Sequence, residues 1–312
     1  TTAGAHTIRV FSFDPVSVSG TGDQYTANDT LSKSFNVLNT VPAPLVESFT
    51  GTAFPPTNWA VINPDGGATW RRYANGNGNA GSAYVNTFNY ATTGQRDDLV
   101  TPFISYGAVD TVRLTFDVAA ATYNYPGSTE IPIDTLEVLL TKDCGNTFTS
   151  VYKKWGTDLQ TINAPNDPQP TEFLPVSSNQ WRTETIELTQ YASSSPVSVM
   201  FRVTNNFENN IFIDNVNFTA RALPALLKQQ GYLVLPTAFN TNFTIWHYQT
   251  PTTVKYINVV NSIGQIVWSK QYNGNADRQI AVDLTGKAAG VYIVNIGYVD
   301  GNRNVAQKVV KY

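Results

Sequence analysis

Apolar and polar residues alternate with period two along much of this 312-residue chain. Val112, Leu114, Phe116 and Val118 form one such row, Val197, Val199, Phe201 and Val203 a second, and Ile280, Val282 and Leu284 a third. Successive side chains of a strand point to opposite faces, so each row marks the buried face of a half-buried strand. The rows are rich in Val, Thr and aromatics, and Gly, Pro, Asn and Asp separate them. Only Leu223 to Gln230, before Gly231, suits a helix, and it is too short to stand alone. Many short strands without alternating helices predict an all-β chain of sandwiches or barrels, not a parallel βαβ sheet.

Punctuation divides the chain. Residues 1–41 hold two strand-like runs, near Thr7–Phe13 and Leu31–Leu38, separated by a Gly/Ser/Thr/Asp loop. Two strands do not make a stable domain, so these read as the last strands of another β-sandwich module. Pro42-Ala43-Pro44 is a stiff linker. Residues 45–220 have the size of one jelly-roll β-sandwich, 221–231 form a second linker, and 232–312 repeat strand and turn as a small immunoglobulin-like β-sandwich does. The chain starts at Thr1 without an initiator Met or a signal peptide, and we read it as the C-terminal part of a longer exported protein.

Composition narrows the function. Net charge is -3 and charged residues are 14%, against the basic face of a nucleic-acid binder. No apolar run approaches the length of a membrane-spanning helix. Cys144 has no partner thiol, the two histidines, His6 and His247, are too few and too scattered for a zinc cluster, and neither neighbours the Gly-x-Ser-x-Gly turn of a Ser/His/Asp triad. The 23 acids offer many pairs for a glycosidase, but none sits in a motif that singles it out. Asp97 and Asp98 read as solvated residues ahead of the Leu99-Val100 strand, pointing to opposite faces. Aromatics reach 12%. Trp59 and Trp70 read as core, while Tyr73, Tyr84, Tyr90, Tyr123, Tyr125 and Trp155 lie in or beside loops, where sugar rings could stack. Asn75-Gly76-Asn77-Gly78-Asn79 and residues 163–168 read as linker or rim.

The last segment carries Val234-Leu235-Pro236, the run Ile257 to Val267 around Gly264, Gly290-Val291-Tyr292-Ile293-Val294 and a terminal Lys308-Val309-Val310-Lys311-Tyr312. It resembles the C-terminal sorting domain of type IX secretion substrates of the Bacteroidota, with Pro236-Thr237-Ala238 in place of the common Pro-Asn-Pro. The resemblance implies export across the outer membrane to the cell surface or the medium, with an outer-membrane translocon and a barrel-type shuttle protein as partners. Gly264, Gly290, Tyr292, Lys308 and Lys311 are the expected export signal. Gly264 reads as a hairpin turn at positive φ, and Gly290 as a close backbone approach.

The middle segment carries Glu47-Ser48-Phe49, Asn63-Pro64-Asp65-Gly66-Gly67, Asp97-Asp98-Leu99-Val100-Thr101-Pro102, the hairpin Lys142 to Phe148 and Ile211-Phe212-Ile213-Asp214-Asn215-Val216. It resembles the cleaved-adhesin or choice-of-anchor jelly rolls of gingipain-type proteins. That resemblance implies a non-catalytic, adhesin-like module for a glycan or a surface protein, and structural calcium. Calcium prefers six to eight oxygens. Glu47 and Asp214 are the expected ligands, on neighbouring terminal strands, with Asp65 and Asp98 adding oxygens from loops. Thr30, Thr111 and Thr135 follow an Asp and precede an apolar residue, the pattern of O-glycosylation sites in this phylum's exported proteins. The alternative reading is the accessory and targeting tail of a secreted peptidase or glycosidase whose catalytic domain lies upstream.

Overall fold

The computed structural model describes residues 4–12, 22, 29–124, 127, 132–164, 167–249, 251, 253–272, 274–299 and 304–312. Tyr125, Pro165 and Asn166 of the loops named above lie outside the described residues. The chain divides into two compact units, Thr1–Ala222 and Leu223–Tyr312.

The first unit is built on two antiparallel sheets. One runs Arg182–Glu187, Thr111–Ala120, Ile211–Arg221, Ser82–Val85, Arg71–Tyr73, with Leu45–Glu47 also pairing Ile211–Arg221. The other runs Thr149–Trp155, Thr135–Thr141, Ser198–Thr204, Arg96–Val100, Ala60–Ile62. The period-two rows supply the core between them. Leu114 sits opposite Ile186 on one side and Phe218 on the other. Phe116 of the first sheet meets Phe201 of the second edge to face at 5.2 Å between centroids, a geometry that ring quadrupoles favour. Trp59 and Trp70 are buried, as expected. Ahead of the sheets, Gly4–Phe11 and Thr30–Val37 pair as a separate antiparallel hairpin. Its Ile8, Val10, Phe11 and Leu31 are exposed.

The second unit opens with a helix, Ala225–Gln230, ended by Gly231 at φ 80°, whose N–H donates to the Leu227 carbonyl. This left-handed closure is a common helix stop. Three strands, Tyr232–Leu235, Asn242–His247 and Gln279–Asp283, form one antiparallel sheet. A five-stranded sheet orders Ala238–Phe239, Asn304–Lys311, Gly290–Tyr298, Val254–Asn261 and Ile266–Gln271. Phe243, Ile245, Ile257, Val259, Val282 and Val294 form its buried core. Among the described residues no helix is long and apolar enough to cross a membrane.

Candidate functional site

The expected neighbourhood of Glu47 and Asp214 exists at the level of strands: Glu47 pairs with Val216, two residues from Asp214. The register of Thr111–Ala120 against Ile211–Arg221 shifts between Thr115 and Asp117, placing Asp117 opposite Asp214. Asn215 beside this bulge has φ 47°, a conformation Asn tolerates better than most residues. The two acids meet amides. Asp214 accepts from Asn77 N (2.7 Å), Asn79 Nδ2 (2.8 Å) and Asn215 N (2.6 Å). Asp117 accepts from Asn77 Nδ2, Asn215 Nδ2 and Thr183 Oγ1. Burial still pushes Asp214 up to about 6. The Asn75–Asn79 loop, read from sequence as rim, thus holds the two acids. The missed signal is its three Asn, whose amides and main-chain N–H groups suit buried carboxylates.

Beside these amides Asn79 Oδ1 is buried without a partner, and it lies with Asp214 Oδ2 and the Gly81 carbonyl around Gly76. Glu47 Oε1 accepts from Phe49 N at 2.6 Å. Nearby carbonyls are also occupied: Arg72 donates to Phe49 O (2.8 Å) and Ala80 O, supplying positive charge there itself.

The other two expected ligands lie elsewhere. Asp98 is not on a loop. It sits in strand Arg96–Val100 of the other sheet, where Arg202 holds it through two bonds of 2.7 and 3.0 Å. Asp65 stays in its loop and accepts from the Tyr90 hydroxyl and Gly67 N (3.2 Å), which hold its carboxyl below the usual range. Asp97 and Asp98 are buried rather than solvated. They do face opposite ways: Asp98 meets Arg202, whereas both oxygens of Asp97 lack a partner and burial pushes it up to about 6. Period two places these side chains, but it does not say that both faces are covered.

A cleft of about 520 Å³ opens in the same unit, lined by Thr161, Asn163, Gln169, Ser177, Asn179 and Gln180 among others. Among the described residues its lining carries amides and hydroxyls beside Ile162 and Ala164, and no charged side chain. Sequence reasoning did not single it out, because its residues come from separated loops. Of the loop aromatics, Tyr84 and Tyr90 are buried and Trp155 is 46% exposed. Tyr73 and Tyr84 pack on Phe212 at 5.3 and 5.0 Å. Thr30 starts its strand exposed, while Thr111 and Thr135 start theirs half-buried, and the Asp134 before Thr135 is fully buried.

In the second unit Gly264 takes φ 83° in a turn where the Asn261 side chain accepts from Ile263 N and Gln265 N. Gly290 corrects its expectation. Nothing lies within 4 Å of a Cβ there, and what it supplies is φ 152° at the start of the strand. Close approach belongs instead to Gly297, where a Cβ would fall 2.3 Å from the Tyr256 ring. Tyr292 is buried and donates to the Ala288 carbonyl at 2.6 Å. Lys308 and Lys311 pair with Ile293 and Gly290 along the same ladder.

Residues 234–312 match the family model described as the secretion system C-terminal sorting domain. No curated protein matches the chain. Among solved structures it is similar to the K1 cleaved adhesin domain of Lys-gingipain from Porphyromonas gingivalis W83, at 22% identity over 58% of this chain and 99% of that one, TM-score 0.42. It is similar to the K2 cleaved adhesin domain of Lys-gingipain at 19% identity over 57% and 98%, TM-score 0.39. It is also similar to the family 11 carbohydrate-binding module from Clostridium thermocellum bound to a mixed-linked tetrasaccharide, at 13% identity over 58% and 99%, TM-score 0.32. Residues 234–312 are a type IX secretion C-terminal sorting domain, and the protein is one exported to the cell surface or the medium.

Proposed function

We propose that this chain is a non-catalytic segment of an exported multidomain protein, in which 232–312 direct passage through the type IX translocon, by way of its outer-membrane barrel shuttle protein, and the β-sandwich of the first unit binds an uncharged glycan. The observation that carries the export half is the match over residues 234–312. The binding half rests on the cleft at Asn163, Gln169, Ser177, Asn179 and Gln180, where neutral donors and acceptors line a space of oligosaccharide size without a charge. A ligand made of hydroxyls matches that lining, whereas an ionic one would find no counter-charge.

Two measurements test the two halves. Removing 232–312 should trap the protein in the periplasm, and normal secretion of that truncation would refute the sorting role. The full chain on an array of neutral glycans should bind without turnover, and N163A/N179A should weaken that binding. Hydrolysis of a bound glycan, or binding indifferent to the double substitution, would refute the module.

A further inference from the structure

Hydrogen bonds within the cleft's own lining bear on which neutral glycan it takes. Gln180 ends the short 3₁₀ turn Ser178–Gln180. Its side chain reaches back along the chain, and Oε1 accepts from Val176 N at 2.7 Å and from Ser177 N at 3.1 Å. Main-chain N–H groups only donate, so this amide sits one way round, with both oxygen lone pairs filled and Nε2 left over. Asn179 Oδ1 is also engaged, by Ser177 Oγ at 2.5 Å. Thr161 Oγ1 accepts from Ala120 N at 3.1 Å and donates to Gln180 O at 2.6 Å. The protons of both hydroxyls are thus spent inside the chain. Among the described residues nothing accepts from Gln180 Nε2 or Asn179 Nδ2, and the exposed Asn163 keeps both ends of its amide for a ligand.

The free amide groups are therefore weighted towards donors, and a ligand has to answer them with acceptors. A carboxylate would accept, but the described lining holds no cation to match its charge. A hydroxyl-only chain such as a glucan offers its ring faces and its hydroxyls. Ring faces want an aromatic platform, and among the described residues no aromatic ring lines this cleft. An acetamido group fits better. Its carbonyl is an acceptor without charge, its N–H is a single donor, and its methyl suits the apolar members of the lining, Ala164 and Ile162. We propose, on the footing of the glycan reading above, that the cleft selects glycans carrying an N-acetylhexosamine. The acetamido carbonyl accepts from Gln180 Nε2, its N–H donates to the Asn163 amide oxygen, and Asn179 Nδ2 donates to a neighbouring sugar oxygen. Gln180 is then the residue that sets specificity, because its own turn fixes which end of its amide faces the ligand.

The experiment presents the full chain with pairs of oligosaccharides that share a backbone and differ only in a 2-acetamido group for a 2-hydroxyl. N-acetylated chito-oligosaccharides against cello-oligosaccharides are one pair, and chains ending in N-acetylgalactosamine against galactose are another. The N-acetylated member of at least one pair should bind more tightly by about tenfold, the worth of a hydrogen bond and a seated methyl. Q180E keeps an oxygen for Val176 N and Ser177 N and replaces the N–H₂ with a second oxygen. It should unfold near the wild-type temperature, and the preference should collapse, since sugar hydroxyls donate to a carboxylate and an acetamido carbonyl does not. A readout on the unaltered chain guards against a variant that misfolds: the side-chain amide resonances of Gln180 should shift with the N-acetylated member and not with its partner. Equal binding within every pair, tighter binding of a sialylated or uronate glycan, an undisturbed Gln180 amide, or an unchanged preference in folded Q180E would each overturn the selectivity while leaving the glycan-binding module standing. Binding of no glycan at all would refute the module itself, and the selectivity with it.

Discussion

Acidification should unfold the sorting domain through His247. This residue ends strand Asn242–His247, is 4% exposed, and leaves both ring nitrogens without a partner. Its ring meets Tyr298 edge to face at 6.4 Å. Burial pushes the imidazole down from 6.5 to about 4. Between these values the unfolded chain binds a proton that the folded one refuses, so stability falls as pH drops from 6.5 towards 4 and is fully present above 6.5. That interval is worth about 3 kcal/mol. For a unit of this size it lowers the unfolding temperature by about 12–25 °C. The assay is calorimetric unfolding of the full chain from pH 7 to pH 4, beside H247F, whose apolar ring cannot titrate. Asp283, held below the usual carboxylate range by Thr285, also costs stability in acid. The variant keeps that contribution, so the difference between the two proteins isolates His247. Carbon-13 NMR of the imidazoles gives the midpoint directly, since only two histidines need assigning. A His247 midpoint near 6, or the same loss of stability in H247F, would refute the reasoning.

Three further outcomes follow from packing and charge. R202M leaves Asp98 buried beside no cation and should cost about 3–5 kcal/mol in urea unfolding, with R202M/D98L recovering most of it; equal stability of R202M and wild type would mean the pair is solvated. F116A removes the ring between Phe201 and Tyr152 and should cost about 3–5 kcal/mol, a loss below about 1 kcal/mol being incompatible with a core that cannot collapse around it. G297A should displace the Tyr256 ring and break its bond to Asn304 Oδ1, costing about 1–3 kcal/mol, and the same substitution in a Y256S background should be near neutral by thermal unfolding.

The architecture was legible because period two is a local property. The rows at 112–118, 197–203 and 280–284 are buried faces of strands Thr111–Ala120, Ser198–Thr204 and Gln279–Asp283, with Val197 and Leu284 buried just outside two of them, and the short helix before Gly231 lies within the segment expected to hold one. The sorting segment was legible for a different reason: its glycines, Tyr292 and terminal lysines stand in order over one short stretch of chain. Partners across sheets were not legible. Asp98 and Arg202 are 104 positions apart, and nothing local tells an acid before an apolar run that an arginine will face it from the adjacent strand. The same limit explains Asn77 and Asn79, which reach Asp214 from more than 130 positions away.

These errors share a direction, and the direction has a cause. Sequence reasoning placed acids in water unless a motif claimed them, because an unpaired buried carboxylate is expensive. This sandwich buries Asp97, Asp98, Asp117, Asp134, Glu208 and Asp214, and for all but Asp97, whose oxygens both lack a partner, it meets the cost in three ways. Asp98 takes a guanidinium, while Asp117 and Asp214 take the amides of an Asn-rich loop. Asp134 and Glu208 take each other's main-chain N–H groups and still leave an oxygen each unanswered. The guanidinium answers Asp98 from within the chain, whereas the loop that holds Asp214 still leaves Asn79 Oδ1 buried without a partner. The third leaves Asp134 Oδ2 and Glu208 Oε1 without a partner, and Asp97 keeps both of its oxygens so, which local patterning in the sequence gives no sign of.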